Sequence, residues 1–187
     1  YNESTGGFTT WSSANCSLSS DTIRYIFCDL NGVMWVGTDR ELAYFNPSAQ
    51  NFTKARIDAA SFAGRTTIQI SYISEGPDQT LWVGTWSNGL AQLDKASNTM
   101  RKINFRGNNP LTGTMRIRSI LSDSHGFLWI CSNVGLFQYN TRTNSLSQVI
   151  MSSAQPNDNI YTSLKDKEGG IWIGTYFQGA YYLSPKA

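Results

Sequence analysis

Residues 166–175 read Asp-Lys-Glu-Gly-Gly-Ile-Trp-Ile-Gly-Thr, and the pattern comes three times more, at 29–38 (DLNGVMWVGT), 76–85 (GPDQTLWVGT) and 123–132 (DSHGFLWICS). The tryptophans Trp35, Trp82, Trp129 and Trp172 are 47, 47 and 43 residues apart. A period in the forties with one strand-like Trp segment per unit predicts propeller blades rather than helical repeats. Asp-x-x-Gly makes a tight turn: the Asp side chain accepts from the backbone two residues on, and Gly takes positive φ freely. The run that follows is β-branched and aromatic with almost no charge, as in a strand buried on both faces. Gly37, Gly84 and Gly174 follow the Trp by two, share its strand face and leave room for a neighbouring sheet.

The repeats divide the chain. Residues 1–20 read as the stub of a preceding blade and a connector, with Gly7 to Trp11 aligning on Gly89 to Leu93 as a third strand. Blade one is 21–66, blade two 67–113, blade three 114–157, and blade four 158–187 without an outer strand. Strands are expected at 23–29, 33–38, 42–46 and 51–57, then at 68–74, 80–85, 90–94 and 99–105. Blade three should use 116–122, 127–132, 136–140 and 145–151, and blade four 160–165, 170–175 and 180–184. No window shows a sustained helical period. The predicted fold is all-β, with about four four-stranded antiparallel blades, expected to form part of a larger propeller. The first and last blades would then show broad apolar faces, which predicts self-association. Trp172 is expected to be buried like its three counterparts.

Composition narrows the function. At 187 residues, with 40% apolar and 13% aromatic content, the chain can bury a sizeable core. A scattered net charge of +2 does not make a nucleic-acid surface. No run of 18 or more apolar residues exists to span a membrane. Tyr1 opens directly on polar sequence, so any targeting signal is expected outside it. Cys16, Cys28 and Cys131 are odd in number and match no metal pattern; Cys28 and Cys131 read as small buried residues. No metal or cofactor is expected.

The units resemble the two-component regulator propeller repeat: an Ile-rich strand, Asp-x-x-Gly, apolar-Trp-apolar-Gly-Thr, then Gly-Leu and an aromatic before Asp or Asn. The pattern runs from Ile117 to Asn140 in blade three and from Ile70 to Asp94 in blade two. Departures are Gly76 and Gln79 for Asp and Gly, Cys131-Ser132 for Gly-Thr, and Glu41 for the Gly before Leu42. The resemblance implies the periplasmic sensor region of a membrane-spanning bacterial protein, often a hybrid histidine kinase that responds to oligosaccharides. Any membrane link would then lie in other parts of the parent chain.

Repetition separates fold from function. Asp29, Asp123 and Asp166 recur and read as turn residues, not as an acid/base set. His125, the only histidine, sits in one such turn with no nucleophile beside it and reads as a solvated turn residue. The informative positions are those that do not repeat. Strand alternation puts the loop between second and third strands at the same end as the loop entering the next blade. The first set is Asp39-Arg40, Trp86-Ser87-Asn88, Asn133-Val134 and Tyr176-Phe177-Gln178; the second includes Arg65, Arg106, Asn108, Asn109 and Arg116. Arg40, Trp86, Asn88, Arg106, Arg116, Tyr176 and Gln178 are the expected ligand-binding residues, suited to a sugar or other small polar ligand. The plainer alternative has Trp86 and Tyr176 packing between blades. The expected function is ligand sensing without catalysis. The alternatives are a glycan hydrolase or lyase, for which only Asp39 and Glu41 lie together on that face, and an interaction scaffold.

Overall fold

A computed structural model describes residues 6–106, 115–123, 125–151 and 159–185. Blade one is β1 (Ile23–Cys28), β2 (Met34–Thr38), β3 (Leu42–Asn46) and β4 (Asn51–Lys54), hydrogen-bonded in chain order. Then come β5 (Arg56–Ile57) and the strands of blade two, β6 (Ile70–Glu75), β7 (Leu81–Thr85), β8 (Leu90–Asp94) and β9 (Thr99–Lys102). Blade three is β10 (Ile117–Ser122), β11 (Phe127–Ser132), β12 (Gly135–Asn140) and β13 (Ser145–Val149). Blade four is β14 (Ile160–Lys165), β15 (Ile171–Thr175) and β16 (Ala180–Leu183). All pairs within a blade are antiparallel, and the four sheets are the blades of a β-propeller. First strands stand side by side: β1 beside β6, β6 beside β10, β10 beside β14.

Two expected strands differ. Residues 8–20 form no strand. The bridge at Gly7 does not extend into a ladder. Trp11 instead sets its ring 5.1 Å from Phe45, edge-on, and Leu18 is buried with Val36, Ala43 and Phe52 on the leading face of blade one. The expected strand 51–57 breaks at Ala55, whose N–H donates to the Leu42 carbonyl. β5 then leaves blade one and pairs in parallel with β9 of blade two.

The motif turn does more than close a hairpin. One Asp29 oxygen accepts from the N–H of Asn31 (3.0 Å) and Val33 (2.9 Å), while the other accepts from the Trp35 indole (3.1 Å). Asp123 repeats this with His125, Phe127 and Trp129. Asp166 binds Gly170 N–H and the Trp172 indole. A buried indole N–H needs such an acceptor, so Asp and Trp belong to one device. Blade two lacks both Asp and Gly, yet keeps its backbone turn: Gly76 N–H donates to Thr80 and Gln79 N–H to Gly76, both at 2.9 Å. Gln79 takes φ 62° there.

Blades pack through the glycines. A Cβ on Gly37 would stand 2.5 Å from Ile70 Cγ2, and one on Gly84 2.6 Å from Ile117 Cγ2. Each isoleucine belongs to the next blade, so these glycines are required by close approach. Buried clusters join blades one to two, two to three and three to four. Among the described residues none joins blade four to blade one. Trp35, Trp82 and Trp129 are therefore 4%, 5% and 8% exposed, whereas Trp172 is 46% exposed. The expected burial of Trp172 fails because no following blade covers it; its segment is still a strand. At the other end Ile23, equivalent to Ile70, is 43% exposed, and Cys28 on the same strand is exposed rather than buried. Cys131 is buried as expected.

Candidate ligand site at the inner-strand end

The motif Thr or Ser builds the turn between second and third strands. Thr85 Oγ1 donates to Gly89 O (2.7 Å) and accepts from Asn88 N–H (2.8 Å). Thr175 does the same with Gly179 and Gln178, both at 2.8 Å. In blade one Thr38 binds Glu41 O and Arg40 N–H, and in blade three Ser132 binds Gly135 O and Val134 N–H. The turns of blades two and four are one residue longer, and Trp86 and Tyr176 stand at their corners. Trp86 N–H donates to Gln69 O and Tyr176 N–H to Asn159 O, both at 3.0 Å, each just before a first strand. Arg116 N–H donates to Asn133 Oδ1 at 2.7 Å, and the Arg40 carbonyl accepts from Ile68 N–H. Turns and strand entries thus share one end of the blades.

Every first strand bulges at that end. The register passes from Ile23↔Thr38 to Tyr25↔Gly37, which makes Arg24 the extra residue; Ser71, Arg118 and Tyr161 hold the same place in blades two, three and four. A bulge takes a side chain out of the regular alternation and re-aims it. Arg24 Cζ lies 4.7 Å from the Trp86 ring centre and Arg116 Cζ 3.9 Å from the same ring. Arg118 Cζ lies 5.0 Å from the Tyr161 ring, which is 6.0 Å from Tyr176, itself 4.6 Å from Phe177. Guanidiniums and aromatic rings therefore alternate from blade one to blade four. Ion pairs among the described residues involve Lys54, Lys95 and Arg101, and none of these three arginines.

Buried polar atoms without hydrogen-bond partners collect at this end. They are Asp39 Oδ1, Ser71 Oγ, Arg118 Nε and Asn159 Oδ1; among the described residues only Asn98 Oδ1 lies elsewhere. Folded chains normally pair such atoms with protein groups or ordered water.

Of the residues expected from sequence, Trp86 and Arg116 meet, Tyr176 packs apart from them with Tyr161 and Phe177, Asn88 and Gln178 fix the turns by their backbone, and Arg40 is exposed on the turn of blade one. Arg106 does not join them: it bridges in parallel to Ser145 and donates to Asn144 O, at the opposite end of β12 and β13 from the 132–135 turn. Arg65 is exposed in the segment after β5. Asn108 and Asn109 lie outside the described residues. Glu41 turns away, accepting from Ser19 N–H and pairing with Lys54 at 3.3 Å, so Asp39 and Glu41 do not form an opposed pair. Arg24, Ser71, Arg118 and Tyr161 escaped the sequence reading, because other positions of the first strand vary as much between blades, as at Cys28, Glu75, Ser122 and Lys165.

A concavity of about 370 Å³ opens away from these residues, between blades three and four at the Asp-turn end, lined by Asp123, His125, Trp129, Gln138, Lys165 and Pro185 among others. His125 is exposed on its rim, with its N–H on Asp123 Oδ1 at 2.8 Å. The matching place between blades one and two is filled by Lys95, which pairs with Asp29 at 2.8 Å and Glu75 at 2.7 Å.

Comparison with known proteins agrees with the architecture. No curated protein sequence matches the chain. The extracellular domain of BT4673 from B. thetaiotaomicron, described as a one component and as a hybrid two component system, superposes with a TM-score of 0.81 at 23% identity. That match covers 96% of this chain and 23% of the other, so the chain spans under a quarter of its length. PorZ, a surface component of the type-IX secretion system of Porphyromonas gingivalis, superposes at 0.63 with 15% identity, covering 95% of this chain and 28% of that one. Virginiamycin B lyase from Staphylococcus aureus superposes at 0.64 with 12% identity over 91% of this chain and 58% of the enzyme. Residues 154–177 match the two component regulator propeller family. That segment holds the motif turn and Trp strand of blade four, whose counterparts recur at the same sheet positions in blades one to three, and the chain is a run of β-propeller blades, one of which matches that family's repeat.

Proposed function

We propose that the chain is a ligand-sensing segment of an extracytoplasmic, periplasmic sensor in a two-component system, and that it recognises an oligosaccharide at the inner-strand end. One observation carries the reading: the rings of Trp86, Tyr161 and Tyr176 gather there beside the guanidiniums of Arg24, Arg116 and Arg118. Rings stack on sugar faces while polar atoms take hydroxyls. Binding would pass along the blades to a histidine kinase elsewhere in the parent protein. Self-association belongs to the same reading. Trp35, Trp82 and Trp129 are each covered by the next blade, so the exposed Trp172 face fits the exposed Ile23 and Ile26 of a second copy, head to tail. A monodisperse monomer by light scattering at micromolar concentration would count against that part.

A glycan hydrolase or lyase is the alternative, because the virginiamycin B lyase neighbour shows that this fold also carries enzymes. Titration with oligosaccharides from polysaccharide digests separates the two. Saturable binding without products supports sensing, turnover supports the enzyme, and neither leaves an interaction scaffold.

A further inference from the structure

We infer that the saccharide held at this end is acidic, and that Arg24, Arg116 and Arg118 receive its carboxylate or sulfate group. The inference rests on the saccharide reading and adds the ligand's charge.

The three guanidiniums stand against rings rather than carboxylates. Arg24 and Arg116 share the Trp86 ring, and Arg118 lies by Tyr161. A guanidinium on an aromatic ring spends its face and keeps the N–H donors of its edge. Those edge donors match the two oxygens of a carboxylate or sulfate. Arg24 is exposed and joins no ion pair among the described residues, so its donors are open to a ligand.

The repeat explains how the charges come together. Arg24 and Arg118 occupy the same bulge position two blades apart, and the bulge between them carries only Ser71. No ion pair among the described residues gives these guanidiniums a carboxylate partner. A neutral sugar would leave Arg24 and Arg116 sharing one ring without a counter-charge. An anionic sugar supplies it. The bulge residues come from different blades, so the preference depends on how the blades are set side by side.

The test is calorimetric titration of the whole protein with three disaccharides of one linkage: neutral, uronate-bearing and sulfated. The acidic probes should bind, and their affinity should fall as salt is raised; which of the two binds tighter names the group. Arg118→Gln and, independently, the exposed Arg24→Gln should weaken acidic binding about tenfold or more with the melting temperature held. Arg118→Lys, which keeps the charge without the fork, should restore only part. Neutral binding as tight as acidic, or unchanged affinity in both glutamine variants, overturns the acidic inference and leaves the saccharide reading intact. No binding of any saccharide overturns both.

Discussion

Blades one and two meet differently from blades three and four, although both junctions use the same repeat positions. At the first, Gly37 admits Ile70, and Ile73 Cδ1 comes within 3.6 Å of where its Cβ would be. At the third, Cys131 replaces the glycine and Ser163 the second isoleucine. Ser119 and Ser163, their hydroxyls 2.8 Å apart, stand beside the Cys131 thiol. Volume added on one sheet is removed from the facing one, which is how cores tolerate substitution. Burial pushes the Cys131 thiol up to about 12, so it packs as a neutral group. At the turn end, Lys95 closes the first junction, while Pro185 takes its place at the third and a cleft remains. At this junction the residues that face each other across two blades change in concert.

The tryptophans give the largest contrast. Trp35→Ala empties a buried site and removes the Asp29 bond, which should cost about 3–5 kcal/mol. Trp172→Ala at its half-exposed position should cost ~1–2 kcal/mol. Urea denaturation of both variants checks this, and equal losses would show that Trp172 is covered in solution.

Next is the lysine of the first junction. Lys95→Ala leaves Asp29 and Glu75 buried without their counter-ion, at a cost of about 2–3 kcal/mol. Lys165→Ala should change stability by less than about 0.5 kcal/mol, since Lys165 is exposed and makes no ion pair with a described residue. The loss at Lys95 has a pH signature. Burial opposes the Asp29 charge, but hydrogen bonds from Lys95, Trp35 and Val33 outweigh it and lower its pKa below 3.8. That stabilisation is complete above 3.8 and disappears as pH falls through the lower folded value. Burial likewise opposes the Lys95 charge, yet Asp29 and Glu75 raise its pKa above 10.5. Its share is complete below 10.5 and disappears as pH rises through the higher folded value. The gap between wild type and Lys95→Ala should therefore stay flat across neutral pH and close at both extremes.

Smaller effects sharpen the volume exchange. Cys131→Gly and Ser163→Ile should each cost ~1–2 kcal/mol, and the double variant less than their sum, with a coupling of about 0.5–1.5 kcal/mol. Additive losses would show that the two positions do not compensate. The smallest expected change is Gln79→Gly, which relieves the positive φ and should gain ~0.4–1 kcal/mol, less whatever the Asn31 contact at 3.3 Å contributes.

Strand order was readable because the Trp strand and the glycine two residues after it mark every blade with one period. The Asp turn was readable as a turn, but its indole bond was not, because it spans six residues and depends on strand twist. Gly7–Trp11 misled because its pattern suits a strand while its ladder is missing. β5 could not be foreseen from blade one alone, since its partner β9 lies in the next blade. The site was half legible. Trp86, Tyr176 and Arg116 stood out as exceptions to the repeat, whereas Arg24 and Arg118 became site residues through a bulge that alternation does not reveal. Arg106 was misplaced because its distance along the chain from β10 hid its bridge to Ser145.

β5 crosses from blade one to lie along β9, and Arg106 makes the matching step from blade two to Ser145 of blade three. Successive blades are thus tied at their outer margins as well as through the packed faces further in. A fan fastened only along its inner edge can splay; one laced at both margins tilts as a unit. A displacement of one blade is therefore carried to the next as a rotation, with little lost to separation of the sheets. The lacing joins blades one to two and two to three, so those three blades share one pitch.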